Sequence, residues 1–124
     1  MLRKQVCQGL AVVMMLMVSA VAGAMTEQAE DEIAYLLDAI AASNCRFIRN
    51  GVDYDAGEAH RHILKKYGYA KPWINTTEDF IRDVASRSSM SGEPYRIRCS
   101  GQTVALADWL RAVLTEFRQP KTPD

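Results

Sequence analysis

The chain has few of the side chains from which proteins build metal centres. Its 124 residues include three cysteines and two histidines, and the sequence contains no C-x-x-C spacing. His60 and His62 are two positions apart, so on a helix their side chains point about 200° apart and cannot share one metal ion. A zinc site therefore has no ligand set here, and we expect neither a metal nor another cofactor.

The chain also has no surplus of charge of either sign. Fifteen basic and fifteen acidic residues give a formal net charge of zero. Strong attraction to nucleic acid or to an anionic membrane surface requires a basic surplus. The composition therefore argues against nucleic acid as a partner.

No apolar run reaches the length of about 20 residues that a transmembrane helix needs. The run Leu10–Ala24 follows Arg3 and Lys4 and ends in the A-x-A pattern Ala22-Gly23-Ala24. These features are typical of a secretory signal peptide over residues 1–24. We expect cleavage after Ala24 or Ala22, which leaves no membrane anchor; an uncleaved anchor is the alternative. The remaining chain, 25–124, has the length of a single domain.

Export decides how the cysteines are interpreted. Cys7 lies within the predicted signal peptide, so Cys45 and Cys99 remain. In an oxidising compartment an isolated pair predicts a disulfide; a metal pair and a reactive thiol are the alternatives. The chain-entropy model assigns about 4 kcal/mol to a closed loop of this length. A domain of this size has a thin margin of stability and could depend on such a bridge.

Short helical and extended patterns follow one another and predict an α+β fold. Apolar residues at three-four spacing indicate four helices, at about 30–43, 55–67, 77–86 and 106–117. Strands are predicted at Cys45–Arg49, Val52–Tyr54 and Tyr95–Cys99, and Asn50-Gly51 is a strong hairpin signal. We therefore expect four helices packed on a small antiparallel sheet, which consists of one hairpin and one later strand.

A series of short motifs runs through most of the predicted domain. They are Cys45–Gly51, Tyr54, His62–Ile63, Lys66–Tyr67, Thr76–Ile81, Ala85–Ser86, Ser88–Ser89, Ser91–Gly92, Pro94–Tyr95 and Trp109–Leu110. Taken in order, these motifs resemble the YfeK-like family of small bacterial exported proteins, which carries a domain of unknown function. The resemblance covers about residues 33–118. It implies a periplasmic location in Gram-negative bacteria, and it implies no activity.

Two groups of polar residues are candidates for a binding site. His62 and Lys66 lie one turn apart on the polar side of the second helix. A serine-rich loop follows the third helix, and Arg49 ends the first strand. The candidate binding residues are His62, Lys66, Ser86, Ser88, Ser89, Ser91, Gly92 and Arg49. The structural alternatives are a solvated or loop-capping histidine and serines that bond backbone groups in turns.

Other polar and aromatic residues have simpler interpretations. His60 falls on the same helix face as Ile63, Leu64 and Tyr67, which favours packing in the core. Trp73 is expected to cover the core, and an exposed binding anchor is the alternative. Four arginines on the strands suggest either a basic strip for a carboxylate or, as the favoured interpretation, the solvent face of a half-buried sheet. These arginines are Arg46, Arg49, Arg96 and Arg98.

The leading functional hypothesis is a non-enzymatic periplasmic binding module. It contacts an envelope protein or another envelope component through Ser86–Gly92 and the neighbouring basic groups. One alternative is a small hydrolase with a loop serine as nucleophile and His62 as base, but no G-x-S-x-G elbow surrounds these serines. The other alternative is a purely structural envelope factor.

Overall fold

A computed structural model describes residues 25–120, and the predicted signal peptide lies outside them. Four α-helices and four β-strands confirm the α+β fold. The helices are α1 (Glu27–Ala42), α2 (Ala56–Ala70), α3 (Thr77–Asp83) and α4 (Leu106–Arg118). The strands are β1 (Arg46–Arg49), β2 (Val52–Tyr54), β3 (Arg96–Cys99) and β4 (Gln102–Ala105). Within residues 25–120, no helix combines the length and apolar character that crossing a membrane requires.

Side-chain caps fix the starts of three helices. Thr26 and Asp55 each accept a hydrogen bond from a backbone N–H in the first turn of α1 and α2, respectively. Thr76 forms a capping box with Asp79 at the start of α3. Such caps satisfy backbone N–H groups that have no partner within the helix. Helices α2 and α3 start at about the predicted residues, whereas α1 starts at Glu27, before the predicted residue 30, and α3 ends at Asp83, before the predicted residue 86.

The sheet has four antiparallel strands in the order β2-β1-β3-β4. Both hairpins turn on a pair of residues with positive φ, Asn50-Gly51 and Ser100-Gly101. Such pairs suit the right-handed twist of the flanking strands. The prediction of three strands was therefore one short. β4 was missed because its only large apolar residue is Val104 and because it runs directly into α4.

The core lies between the helices and one face of the sheet. Most of its fully buried members come from α1, α3, β3 and α4, and they include Ile33, Leu36, Ile40, Phe80, Ile81, Ile97, Leu106 and Leu110. Cys45 and Cys99 pack against this core and form the predicted disulfide. The bridge joins the residue before β1 to the last residue of β3. It therefore fastens the two central strands to each other.

Several local expectations were wrong. Helix α2 continues through Gly68 to Ala70 rather than ending at Tyr67. Leu64 is 46% exposed, because Ala56, Ala59 and Ile63 form the buried face. Trp73 is 74% exposed and does not cover the core. It lies in a 3₁₀ turn after α2, at Lys71–Trp73.

Candidate functional site

A pocket of about 210 Å³ opens where the first hairpin meets α2. Its apolar lining includes Phe47, Ala59, Ile63 and Leu106. Its polar lining includes Arg49, Tyr54, His62 and Tyr95. The charged residues Glu58, Arg61 and Arg96 also line it. An apolar cavity with a few converging polar groups is the usual form of a binding site for a small ligand. We call this cavity the hairpin pocket.

The sheet separates the four predicted arginines by face. Arg46 pairs with Arg98 and Ile48 pairs with Arg96, so these three arginines lie on one face. There Arg98 forms an ion pair with Asp53. The solvent-face interpretation holds for these three residues. Arg49 occupies the opposite face, beside Tyr54, and it is half-buried in the hairpin pocket.

Arg49 joins the hairpin to α2 through hydrogen bonds. Its Nη2 donates to the Tyr54 hydroxyl at 3.0 Å, and its guanidinium carbon lies 4.9 Å from the centre of the Tyr54 ring. Its Nη1 lies 2.9 Å from His62 Nδ1. The same Nη1 lies 3.1 Å from His62 Nε2. A guanidinium can only donate, so the shorter contact assigns the acceptor role to Nδ1 and the imidazole proton to Nε2. Arg49 and a neutral His62 are therefore compatible neighbours.

His62 is half-buried, whereas its sequence position predicted a place on the polar side of α2. Its Nε2 lies 3.2 Å from the Tyr95 hydroxyl, and the two rings meet edge to face at 6.0 Å. Burial lowers the pKa of His62, and the cations of Arg49 and Lys66 lower it further. The imidazole therefore favours its neutral form more than a solvated histidine does.

Lys66 links α2 to the serine-rich loop. Its Nζ donates to the backbone carbonyl of Arg87 at 2.7 Å and to the Tyr95 hydroxyl at 3.3 Å. The same nitrogen lies 5.1 Å from the centre of the Tyr95 ring. Burial lowers the pKa of Lys66, and Arg49 and Arg87 lower it further. His62 and Lys66 thus meet on one tyrosine that lies more than 25 positions away along the chain.

Asn50 connects the hairpin turn to two of the predicted serines. Its amide nitrogen donates to Ser88 Oγ at 3.4 Å, and its side-chain oxygen accepts from Ser91 Oγ. Ser88 is buried, and its Oγ also accepts from the backbone N–H of Ser91 at 3.4 Å. These two serines therefore shape the loop and fasten it to the hairpin, as the structural alternative expected.

The other loop residues have separate positions. Ser86 Oγ donates to the Arg82 carbonyl at 2.5 Å and so extends the end of α3. Gly92 has a φ of +75°, which an L side chain rarely adopts. Ser89 is exposed. The structure thus brings His62, Lys66, Arg49 and the loop together through Tyr95 and Asn50, while Ser86 and Ser89 lie at the margin of this junction.

Tyr54, Tyr95 and Asn50 are central to the arrangement, and they were not among the predicted site residues. Tyr95 is 5% exposed, and burial raises its pKa. Tyr54 pairs with Phe47 across the hairpin, which places its ring on the pocket face. A strand alternation that continues one residue before β3 is the signal that could have placed Tyr95 on that face as well.

Arg49 in the hairpin pocket and Lys66 beside it form no ion pair among residues 25–120, although the carboxylate of Glu58 also lines the pocket. Among residues 25–120, the ion pairs within 4.0 Å involve Arg82, Arg98, Arg111 and Arg118 but neither Arg49 nor Lys66. In the same residues, His62 forms hydrogen bonds with Arg49 and Tyr95 and none with a serine. The arrangement is suited to holding an acceptor and lacks the serine–histidine contact of an activated nucleophile.

Comparison with known proteins agrees with the resemblance seen in the sequence. Residues 27–118 match the model of a family of unknown function, DUF5329. The chain is 36% identical over 95 residues to the uncharacterized protein YfeK of Salmonella typhimurium strain LT2, an alignment that covers 76% of this chain and 77% of that protein. No solved structure matches. The matched region contains the whole sheet and the hairpin pocket, and the chain belongs to the DUF5329 family.

Proposed function

We propose that this protein is an exported, non-enzymatic binding module that contacts an envelope protein or component in the periplasm. Its contact surface consists of the hairpin pocket and the adjoining loop 86–92. The proposed export rests on the signal-peptide pattern of residues 1–24. A disulfide between Cys45 and Cys99 is compatible with an oxidising compartment.

One observation supports binding most strongly. Residues that are far apart in the sequence converge on a single partly apolar pocket, and their cations have no carboxylate partner among residues 25–120. A half-buried cation that contacts only neutral acceptors retains most of its capacity to attract an anion. A purely structural junction would be expected to neutralise such charges.

Site-specific photo-crosslinking in intact cells tests this proposal. A photoreactive amino acid at Ser89 lies at the margin of the proposed surface, and one at Glu116 on α4 is the matched control because both residues are exposed. We expect a discrete crosslinked product from position 89 that is lost in the Arg49→Gln background and absent from position 116. Equal products from both positions, or a product that Arg49→Gln leaves unchanged, would contradict a partner at this surface.

A fluorophosphonate probe separates binding from hydrolysis. Such probes label serines that a neighbouring base activates. We expect no labelling of the folded protein, because the hydrogen bonds of Ser88 and Ser91 lead to Asn50 and the loop backbone. Labelling that disappears in both Ser88→Ala and His62→Gln would contradict the binding hypothesis and support the hydrolase hypothesis.

A further inference from the structure

The tyrosine hydroxyls of the hairpin pocket have protons that no neighbouring group accepts. Tyr95 accepts from His62 Nε2 and from Lys66 Nζ. Tyr54 accepts from Arg49 Nη2. Within residues 25–120, neither hydroxyl donates to another group when His62 carries its proton on Nε2. Each phenol therefore keeps its own O–H available, and an adjacent cation makes that O–H a stronger donor.

These donors surround a pocket of restricted size. A cavity of about 150 Å³ lined by aliphatic and aromatic groups is large enough for benzene. The hairpin pocket has about 210 Å³, which leaves room for one ring or branched alkyl group and a small polar head. It is smaller than the roughly 300 Å³ at which pockets for drug-sized ligands begin. Its occupant is therefore a fragment-sized molecule or a single residue of a partner.

The charge of the occupant follows from the donors. Arg49 lines the pocket and Lys66 lies beside it on the Tyr95 hydroxyl, and both are cationic. Of the other charged residues in the lining, Arg61 and Arg96 are cationic and Glu58 is anionic, so the lining has a net positive charge. Tyr54 accepts from Arg49 Nη2 and keeps its own hydroxyl proton. A neutral acceptor would satisfy one or two of these groups. A carboxylate has about four lone-pair sites, so it accepts from several donors at once and is also attracted by the two cations.

We propose that the hairpin pocket binds a carboxylate that carries one apolar group, with the apolar group against Phe47, Ile63 and Leu106 and the carboxylate near Arg49, Tyr54 and Tyr95. This inference rests on the proposed binding function and specifies its ligand. Two sources share the chemistry: a free apolar carboxylic acid and the carboxyl-terminal residue of a peptide.

Titration calorimetry on the oxidised mature protein tests the ligand class. The probes are 3-phenylpropanoate, its uncharged amide and acetate, which lacks the apolar group. We expect 3-phenylpropanoate to bind at least about tenfold more tightly than either control, since one charge-assisted hydrogen bond accounts for a tenfold change. An amide that binds as tightly as the acid would overturn the proposal.

A peptide arm distinguishes the two sources. Acetyl-Gly-Gly-Phe with a free carboxyl terminus is compared with the same peptide as a carboxyl-terminal amide. Tighter binding of the free-terminus peptide than of 3-phenylpropanoate supports a peptide terminus as the source, and the reverse order supports a free acid. Both results support the carboxylate, whereas failure of every acid to bind at millimolar concentration overturns it.

Substitutions locate the site. Arg49→Gln should weaken 3-phenylpropanoate at least about tenfold, and the double change Tyr54→Phe with Tyr95→Phe should weaken it while keeping both rings. Arg46→Gln is the matched control, because it removes the same charge from the other face of β1, and it should change the affinity less than about twofold. Equal losses from Arg46→Gln and Arg49→Gln would overturn the placement.

The result for the ligand class can be separated from the result for the proposed binding function. If Arg49→Gln does not fold, NMR shift mapping of 3-phenylpropanoate on the unmodified protein replaces it, and shifts confined to residues outside the hairpin pocket overturn the inference. If no acid binds but the crosslink from position 89 persists and depends on Arg49, the ligand class is wrong and the binding module stands. If the acids bind but no crosslink forms, the ligand class stands and the partner protein is rejected.

Discussion

Two polar junctions join distant parts of this fold, and they differ in the partners of their charged side chains. In the first, which we call the Glu32 junction, the carboxylate of Glu32 is 3% exposed and accepts from Thr77 Oγ1 at 2.7 Å. It also accepts from Arg118 Nε at 2.6 Å, and Arg118 pairs with Glu78 at 2.9 Å. Every charge there faces one of opposite sign. At the hairpin pocket, Arg49 in the lining and Lys66 beside it face hydroxyl, imidazole and carbonyl groups.

The difference indicates that the Glu32 junction stabilises the fold and that the hairpin pocket is suited to binding an anion. Glu32 joins α1 to α3 and α4, and its removal leaves Arg118 with fewer partners. The cations at the hairpin pocket can pair with an incoming anion without giving up an existing carboxylate partner. We therefore expect changes at the Glu32 junction to affect stability alone and changes in the hairpin pocket to affect binding more than stability.

The largest expected effect comes from the disulfide that joins the two central strands of the sheet. Cys45→Ala should lower the free energy of unfolding by about 2–5 kcal/mol, because the bridge closes a long loop and fastens β1 to β3. Urea unfolding of the oxidised protein and of the variant measures this. Thiol labelling of the denatured, unreduced protein should find no free thiol at Cys45 or Cys99, and two labelled thiols would contradict the bridge.

The Glu32 junction should have the next largest effect. Glu32→Gln should lower the free energy of unfolding by about 1–3 kcal/mol, since it weakens charged hydrogen bonds to a buried group. Glu116→Gln, on exposed surface of α4, is the matched control. The affinity for 3-phenylpropanoate should be unchanged. A loss of affinity in Glu32→Gln without a loss of stability would remove the distinction between the two junctions.

The two junctions should also differ in the pH range over which they affect stability. The hydrogen bonds from Arg118 hold the pKa of Glu32 below its ordinary value, and Thr77 adds to this. A carboxyl group with a lowered folded-state pKa stabilises the fold above its unfolded value of about 4.3. This contribution is lost as the pH falls through the folded-state pKa. Glu32→Gln should therefore flatten the acid side of the stability profile.

His62 acts at higher pH. Burial and the cations of Arg49, Lys66 and Lys65 lower its folded-state pKa, so the unfolded chain binds more protons near pH 6. Its contribution is fully present above about pH 6.5 and declines as the pH falls toward the folded-state pKa. Urea unfolding between pH 5 and 8 should show a slope that His62→Gln removes and that His60→Gln retains. A slope that survives in His62→Gln would contradict the assignment.

The sequence predicted the helices and strands better than it predicted the contacts between them. The Asn50-Gly51 turn is a local signal, and the structure has it where it was predicted. The approach of His62 to Tyr95 depends on how α2 packs on the sheet, which no local pattern specifies. Ser88 was interpreted as a loop residue, and only the fold shows that it is buried against Asn50. Long-range packing therefore determined which predicted polar residues belong to the site.

The smallest expected effects come from two adjacent serines. Ser88 is 5% exposed and bonded to Asn50, so Ser88→Ala should lower the free energy of unfolding by about 1 kcal/mol. Ser89 is exposed, so Ser89→Ala should change it by less than about 0.5 kcal/mol. Thermal unfolding of the two variants measures both effects.

The two variants also test whether Ser88 and Ser89 have different roles in loop 86–92. Ser88 would hold the loop on the hairpin, and Ser89 would be free to contact a partner. A crosslinked product that weakens in Ser89→Ala while stability stays unchanged would support that division, and a stability loss at Ser89 equal to that at Ser88 would contradict it.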